Sequence, residues 1–244
     1  REAASCAREV VDAEVAEALR SGERLGGLAV LRRAVWPEVV GQMRREASEL
    51  LLAAGLRSDG QESVGRFDVL RMLDRAELTD ATPGISFGWS LLCNICSQLN
   101  AQRRPEDPEL EPGPVQLACF DGGGAGYSVH RDHSDFGVLP FIGDGLPTDP
   151  VERVVARRRV TAILYMQDDW SAKWGGSFRA HEGSVFEVME RQASGQEDEG
   201  SFFDCLPEGG TIVLFRSRDL AHEVMPTSHR RFAMTMWMLQ AEKY

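Results

Sequence analysis

The stretch Gly126-Tyr127-Ser128-Val129-His130-Arg131-Asp132 holds one of the five histidines of the chain, two positions from a carboxylate. Side chains two apart on an extended strand point to the same face. His130 and Asp132 therefore offer a nitrogen and an oxygen side by side, enough for two adjacent positions on one metal ion. A second cluster, His222-Glu223-Val224-Met225-Pro226, follows the apolar run Thr211-Ile-Val-Leu-Phe215 and a polar corner. A third ligand at the start of this later strand can meet the first pair across a barrel. Two imidazoles and one carboxylate on one face leave three coordination positions open, the donor set of non-haem iron(II) oxygenases. A lone histidine would read as an ordinary hydrogen-bonded residue; an HxD with a distal His in a β context favours the metal.

His133-Ser134-Asp135 is an overlapping HxD. It lies further past the strand, beside a long polar loop where ligand geometry is harder to hold, so His130/Asp132 is preferred. His181 precedes Glu182-Gly183 in a turn and His229 flanks two arginines; both are expected at the surface. Arg231 opens the run Arg-Phe-Ala-Met-Thr-Met-Trp-Met-Leu. Alternation places Arg231, Ala233, Thr235 and Trp237 on one face, opposite Phe232, Met234, Met236 and Met238. Both faces are mostly apolar, which predicts a buried strand. A buried guanidinium needs an anion. That anion is either an Asp or Glu of the chain or a carboxylate-bearing cosubstrate, gripped bidentately with Thr235 adding a hydroxyl.

These residues need a scaffold, and the periodicity predicts one. Residues 3–20 read as a helix ending near Gly22, Leu28–Leu31 as a strand, and Val39–Ala54 as a helix begun at Pro37 and stopped at Gly55. Residues 57–65 read as a loop, Phe67–Leu73 as a strand and Ile85–Arg103 as a helix. Cys93-Asn-Ile-Cys96 falls inside that helix without a second CxxC, so both are expected to be core cysteines. Residues 105–114, with four prolines, read as a connector and the internal boundary between a helical support region (1–114) and a catalytic region (115–244) of one structural domain. Beyond it come short β-prone segments at 115–120, 127–132, 160–166, 177–180, 210–215, 223–225 and 231–239. No helices are expected between them, which predicts a mainly β fold of the jelly-roll kind. The long loops 134–157 and 190–200 are candidates for lids.

Composition narrows the partners. A length of 244 residues and 43% hydrophobic content suit one globular domain. The net charge of −11 argues against nucleic acid and an anionic membrane surface. No apolar run reaches membrane-spanning length, and five irregularly spaced cysteines do not form a disulfide framework. A cytoplasmic or nuclear monomer is expected. The chain opens on Arg1 rather than Met, so the expectation is of a trimmed chain that could have lost a leader.

The block Tyr127-x-x-His130-x-Asp132, Leu214-Phe215-x-Ser217, His222-Glu-Val-x-Pro226 with Arg231, Thr235 and Trp237 resembles the prolyl 4-hydroxylase group of Fe(II)/2-oxoglutarate dioxygenases. Thr161-Ala-Ile-Leu-Tyr165-Met-Gln-Asp-Asp-Trp170 and Gly175-Gly176 match the hypoxia-inducible-factor branch in order, over about residues 115–240. The resemblance implies a double-stranded β-helix (cupin-like) with iron on His130, Asp132 and His222, and the distal carboxylate of 2-oxoglutarate on Arg231, assisted by Tyr165 and Thr235. Tyr127 and Trp237 would line a prolyl pocket, with Arg158 a weaker candidate; Tyr127 also settles the register against His133/Asp135. The implied reaction hydroxylates a proline of a protein or peptide while O2 converts 2-oxoglutarate to succinate and carbon dioxide, with ascorbate as reductant. In that branch the role is oxygen sensing. Phe120 replaces a tyrosine of the branch, and the two long loops depart from it. A free amino acid, lysyl residue or small metabolite as substrate, and a non-catalytic jelly-roll binding domain, are the competing expectations.

Overall fold

The computed structural model describes residues 11–22, 25, 27–53, 69–133, 150–196 and 201–242. In its first half the elements are α1 (Ala13–Ser21), β1 (Leu28–Leu31), α2 (Pro37–Ala53), β2 (Val69–Met72), α3 (Pro83–Ala101), β3 (Leu110–Phe120) and β4 (Ala125–His130). There follow α4 (Pro150–Arg157), β5 (Arg158–Tyr165), β6 (Phe178–His181), α5 (Val185–Ser194), β7 (Phe202–Cys205), β8 (Ile212–Arg216), β9 (Ala221–Thr227) and β10 (Arg231–Gln240).

Strand β10 shows why the chain folds as it does. Its alternation is realised: Phe232, Met234, Met236 and Met238 enter the main core, while Arg231, Ala233, Thr235 and Trp237 line an internal cavity. Buried on both faces, it is central in a six-stranded antiparallel sheet of order β1-β8-β5-β10-β3-β2. A second antiparallel sheet, β4-β9-β6-β7, closes the jelly roll. Helices α2 and α3 cover the methionine face, burying Met43, Ile85, Leu91, Leu92 and Ile95. Both start on proline, whose missing amide hydrogen is harmless there. The buried Glu46 carboxylate of α2 accepts from the amides of Gly84 and Ile85, neutralising the positive first turn of α3.

Several expectations change. The proline-rich connector is shorter than 105–114, because β3 already begins at Leu110. Pro114 is tolerated there because the pairing with β10 slips between Met236 and Met238, opposite Gly113 and Pro114, and a bulge residue needs no ladder donor. Strands β1 and β2, from the first 114 residues, pair with β8 and β3 and so belong to the main sheet. Helices do interrupt the β region: α4 follows the 134–149 stretch, and α5 takes in residues 190–194 of the predicted 190–200 loop and the residues before it. Residues 3–10, 54–68, 134–149 and 197–200, with Cys6 and Asp135, lie outside the described residues.

Cys96 joins the core as expected, while Cys93 is half-buried against it. Cys96 is 1% exposed, and burial pushes its thiol up to about 12. No disulfide forms among the described cysteines. Among the described residues, no helix is long and apolar enough to cross a membrane.

Candidate active site

His130 closes β4 and His222 is the second residue of β9; the two are register partners in one antiparallel pair. The two histidines thus meet as neighbours within the smaller sheet, not across a barrel. Each imidazole is set by its own backbone. His130 Nδ1 lies 2.8 Å from the Ser128 carbonyl and His222 Nδ1 lies 3.2 Å from the Leu220 carbonyl. A carbonyl only accepts, so both Nδ1 atoms carry hydrogen, and in the neutral imidazole each Nε2 keeps its lone pair. Asp132 Oδ1 lies 3.8 Å from His130 Nε2 and 3.9 Å from His222 Nε2. One ligand atom from each of the three residues falls within 4.8 Å of the others. Two neutral imidazoles whose other nitrogen is already bonded, plus one carboxylate, fit an iron(II) ion.

Asp132 departs from the strand argument. Strand β4 ends at His130, so Asp132 is held by contacts with other strands. Thr161 Oγ1 donates to its Oδ2 at 2.7 Å, and Arg158 Nη1 donates to its carbonyl at 2.9 Å. Burial opposes its ionisation, but His222, His130, Arg158 and the Thr161 bond outweigh burial and hold the carboxyl below its usual range. Burial depresses His222, partly offset by Asp132, and so favours the neutral, metal-binding form. Phe178 and Phe215 pack on the His222 ring at 5.2 and 4.6 Å and keep water from it.

These residues open into a cavity of about 360 Å³ between the sheets. Arg231, 2% exposed, lines it. Its Nε donates to the Gly176 carbonyl at 2.8 Å and its Nη2 to the Tyr165 hydroxyl at 3.3 Å. Gly175 and Gly176 explain that carbonyl. Both have positive φ, 69° and 72°, and a Cβ on Gly175 would meet the Pro226 carbonyl at 2.3 Å. Only glycine lets the turn approach so closely. Tyr165 is buried behind Arg231, and burial raises its hydroxyl above the usual range against the pull of Arg231, so it stays protonated. Phe120 places its ring 5.2 Å from the guanidinium, with Thr235 on the same cavity wall.

The other expected substrate residues are here too. Tyr127 stacks on His130 at 3.7 Å, and Trp237 lines the opposite sheet. The Trp237 indole nitrogen is buried with no hydrogen-bond partner among the described residues. Arg158 stacks 3.9 Å above Trp237 while holding the Asp132 carbonyl, so it braces the site as well as lining it. Of the rival register, His133 donates its amide to the Ser217 carbonyl, and Asp135 lies outside the described residues.

His181 was expected at the surface and is instead 3% exposed. It faces away from the cavity under α5, where Nε2 lies 2.8 Å from Glu223 Oε1. Its partner is 42 residues away, beyond any local signal. His229 is exposed as expected, stacked on Trp174 at 4.2 Å. Thr161 and Ser217 had no assigned role. Their contacts cross strands and carry no spacing pattern.

The profile of the 2OG-Fe(II) oxygenase superfamily matches residues 115–239, which contain the triad and Arg231. Human prolyl hydroxylase EGLN3 is 27% identical over 213 residues, covering 84% of this chain and 76% of that protein. Matches to its mouse and rat counterparts cover 43% of those proteins, less than half their length. A Pseudomonas putida prolyl-4-hydroxylase structure superposes with TM-score 0.64 at 18% identity, covering 93% of this chain and 100% of that one. A Trichoplax adhaerens prolyl hydroxylase in complex with a hypoxia inducible factor oxygen degradation domain peptide fragment gives 0.66 at 18%, covering 93% and 90%. At such identities the two structures speak for the fold alone. The profile covers more than half of the chain and encloses the site just described, so the chain belongs to the 2OG-Fe(II) oxygenase superfamily.

Proposed function

We propose that the chain is a dioxygenase, dependent on iron(II) and 2-oxoglutarate, that hydroxylates C4 of a prolyl residue in a protein or peptide. The observation that carries this reading is one cavity holding His130, Asp132 and His222 together with Arg231, Tyr127 and Trp237. The human prolyl hydroxylase among the relatives supports proline as the target.

Iron(II) held by His130, Asp132 and His222 supplies oxygen activation coupled to decarboxylation of 2-oxoglutarate. The chain does the rest. Arg231 binds the distal carboxylate of the cosubstrate, steadied by Gly176 and Tyr165, and Thr235 offers a hydroxyl beside it. Tyr127 and Trp237 flank the prolyl ring from the two sheets, and Arg158 fixes both Trp237 and the Asp132 backbone. Phe178 and Phe215 keep the metal side dry. Ascorbate acts as the reductant that restores iron(II). In this reading residues 1–114 support the catalytic jelly roll of 115–244.

The test is mass spectrometry of proline-containing peptides incubated with the protein, Fe(II), ascorbate and 2-oxoglutarate in air. One added oxygen on proline is expected, dependent on every component. Hydroxylation of a free metabolite but of no peptide would contradict the reading.

A further inference from the structure

The side chain of Asp132 receives one direct protein hydrogen bond among those described, from Thr161 to Oδ2 at 2.7 Å. The other oxygen, Oδ1, is the one near both imidazole Nε2 atoms. A threonine hydroxyl has a single proton. Because that proton goes to the carboxylate, the 2.9 Å contact between Thr161 Oγ1 and Ser217 Oγ must have Ser217 as donor. The chain of hydroxyls therefore runs from Ser217 through Thr161 to Asp132, and each bond strengthens the next. Both residues are 0% exposed, so water does not compete. Both are also anchored. Thr161 is inside β5, between β8 and β10, and the Ser217 amide and carbonyl bond to Arg159 and His133.

We infer that Thr161 is a positioning residue that reserves Asp132 Oδ2, so that the carboxylate offers Oδ1 alone to the metal. This rests on the iron reading of the triad. A carboxylate with both oxygens free can engage an ion through two positions instead of one, and the extra position is one that 2-oxoglutarate needs. Thr161 thus guards cosubstrate binding more than metal binding, with Ser217 holding Thr161 in the donating orientation.

The test is anaerobic titration of wild type, Thr161→Val, Thr161→Ser and Ser217→Ala with Fe(II), and then with 2-oxoglutarate, read by the visible absorption of the iron–keto acid complex. Thr161→Val keeps the shape and removes the hydroxyl. It is expected to bind Fe(II) as tightly as wild type or more so, but to bind 2-oxoglutarate about tenfold more weakly, the scale on which outer hydrogen bonds act. Thr161→Ser should restore the wild-type value, and Ser217→Ala should show a smaller loss than Thr161→Val because the bond to Asp132 survives. Unchanged 2-oxoglutarate affinity in Thr161→Val, or loss of Fe(II) and 2-oxoglutarate binding together without rescue by Thr161→Ser, overturns the inference. A wild-type protein that does not bind Fe(II) would strike the reading of the triad itself.

Discussion

His130 and His222 face each other across β4 and β9 with ring centroids 4.2 Å apart, and each Nδ1 bonds to the carbonyl two residues earlier in its own chain segment. The same local bond on both partners turns both Nε2 atoms toward Asp132, so three candidate donor atoms are gathered within 4.8 Å of one another. His130→Ala is expected to weaken Fe(II) binding by about 100-fold. The melting temperature of the metal-free protein should change little, because His130 is partly exposed. His222→Ala should lose metal binding and also cost about 2 kcal/mol of stability, since it empties a site packed by Phe178 and Phe215. Anaerobic metal titration and thermal melts separate the two effects.

Arg231→Lys keeps a charge but loses the planar fork that bonds Gly176 and Tyr165 and faces the cavity. The KM for 2-oxoglutarate should rise about tenfold or more, with a smaller fall in kcat. Tyr165→Phe removes one hydroxyl, worth about 1 kcal/mol, and should raise the same KM roughly fivefold. Steady-state succinate release measures both, and an unchanged KM in Arg231→Lys would remove Arg231 from the anion site.

Gly176→Ala tests the turn behind the arginine. Its φ of 72° is in the left-handed region, and a Cβ would stand 3.0 Å from Trp170 and 3.1 Å from Thr227. The substitution should cost about 1–2 kcal/mol and lower the melting temperature by a few degrees. It should also raise the KM for 2-oxoglutarate, because the carbonyl that receives Arg231 Nε moves with it. A stable variant with ordinary cosubstrate binding would contradict that link.

The pH dependence has a definite sign. Metal binding needs Asp132 ionised and the imidazoles neutral. Burial depresses the His222 pKa below the ordinary value of 6.5, so proton competition at His222 starts at lower pH than for an exposed histidine. Asp132, also depressed, stays ionised throughout the neutral range. Fe(II) affinity should therefore stay level from about pH 8 to 7 and weaken only as the pH falls further, toward and below about 6.5. A steep loss already between pH 8 and 7 would contradict this assignment.

Much of the site was legible because its residues lie on short, strongly patterned segments. Alternation in β10 predicts which residues line the cavity and which join the core, and HxD with a distal His picks out three residues whose donor atoms fall within 4.8 Å of one another. What stayed hidden depends on distant contacts. His181 looks like a turn residue because Glu182-Gly183 follows it, yet Glu223 buries it. Thr161 reaches Asp132 over 29 residues, and no local spacing encodes that contact. Helix α5 was hidden because it is short and its apolar residues mark no clear buried face: Val185 and Val188 are buried while Phe186 and Met189 are exposed. Leu110–Pro114 looked like a linker because its prolines argue against a strand, and a bulge accommodates Pro114.

The most direct test of the central claim is turnover under 18O2 with a proline-containing peptide, Fe(II), ascorbate and 2-oxoglutarate. Dioxygenation of both substrates predicts one labelled oxygen in succinate and one on the proline ring, with the label in both products lost in His222→Ala. Labelled succinate with no modified proline on any peptide would contradict prolyl hydroxylation, and succinate without label would contradict the dioxygenase reading altogether.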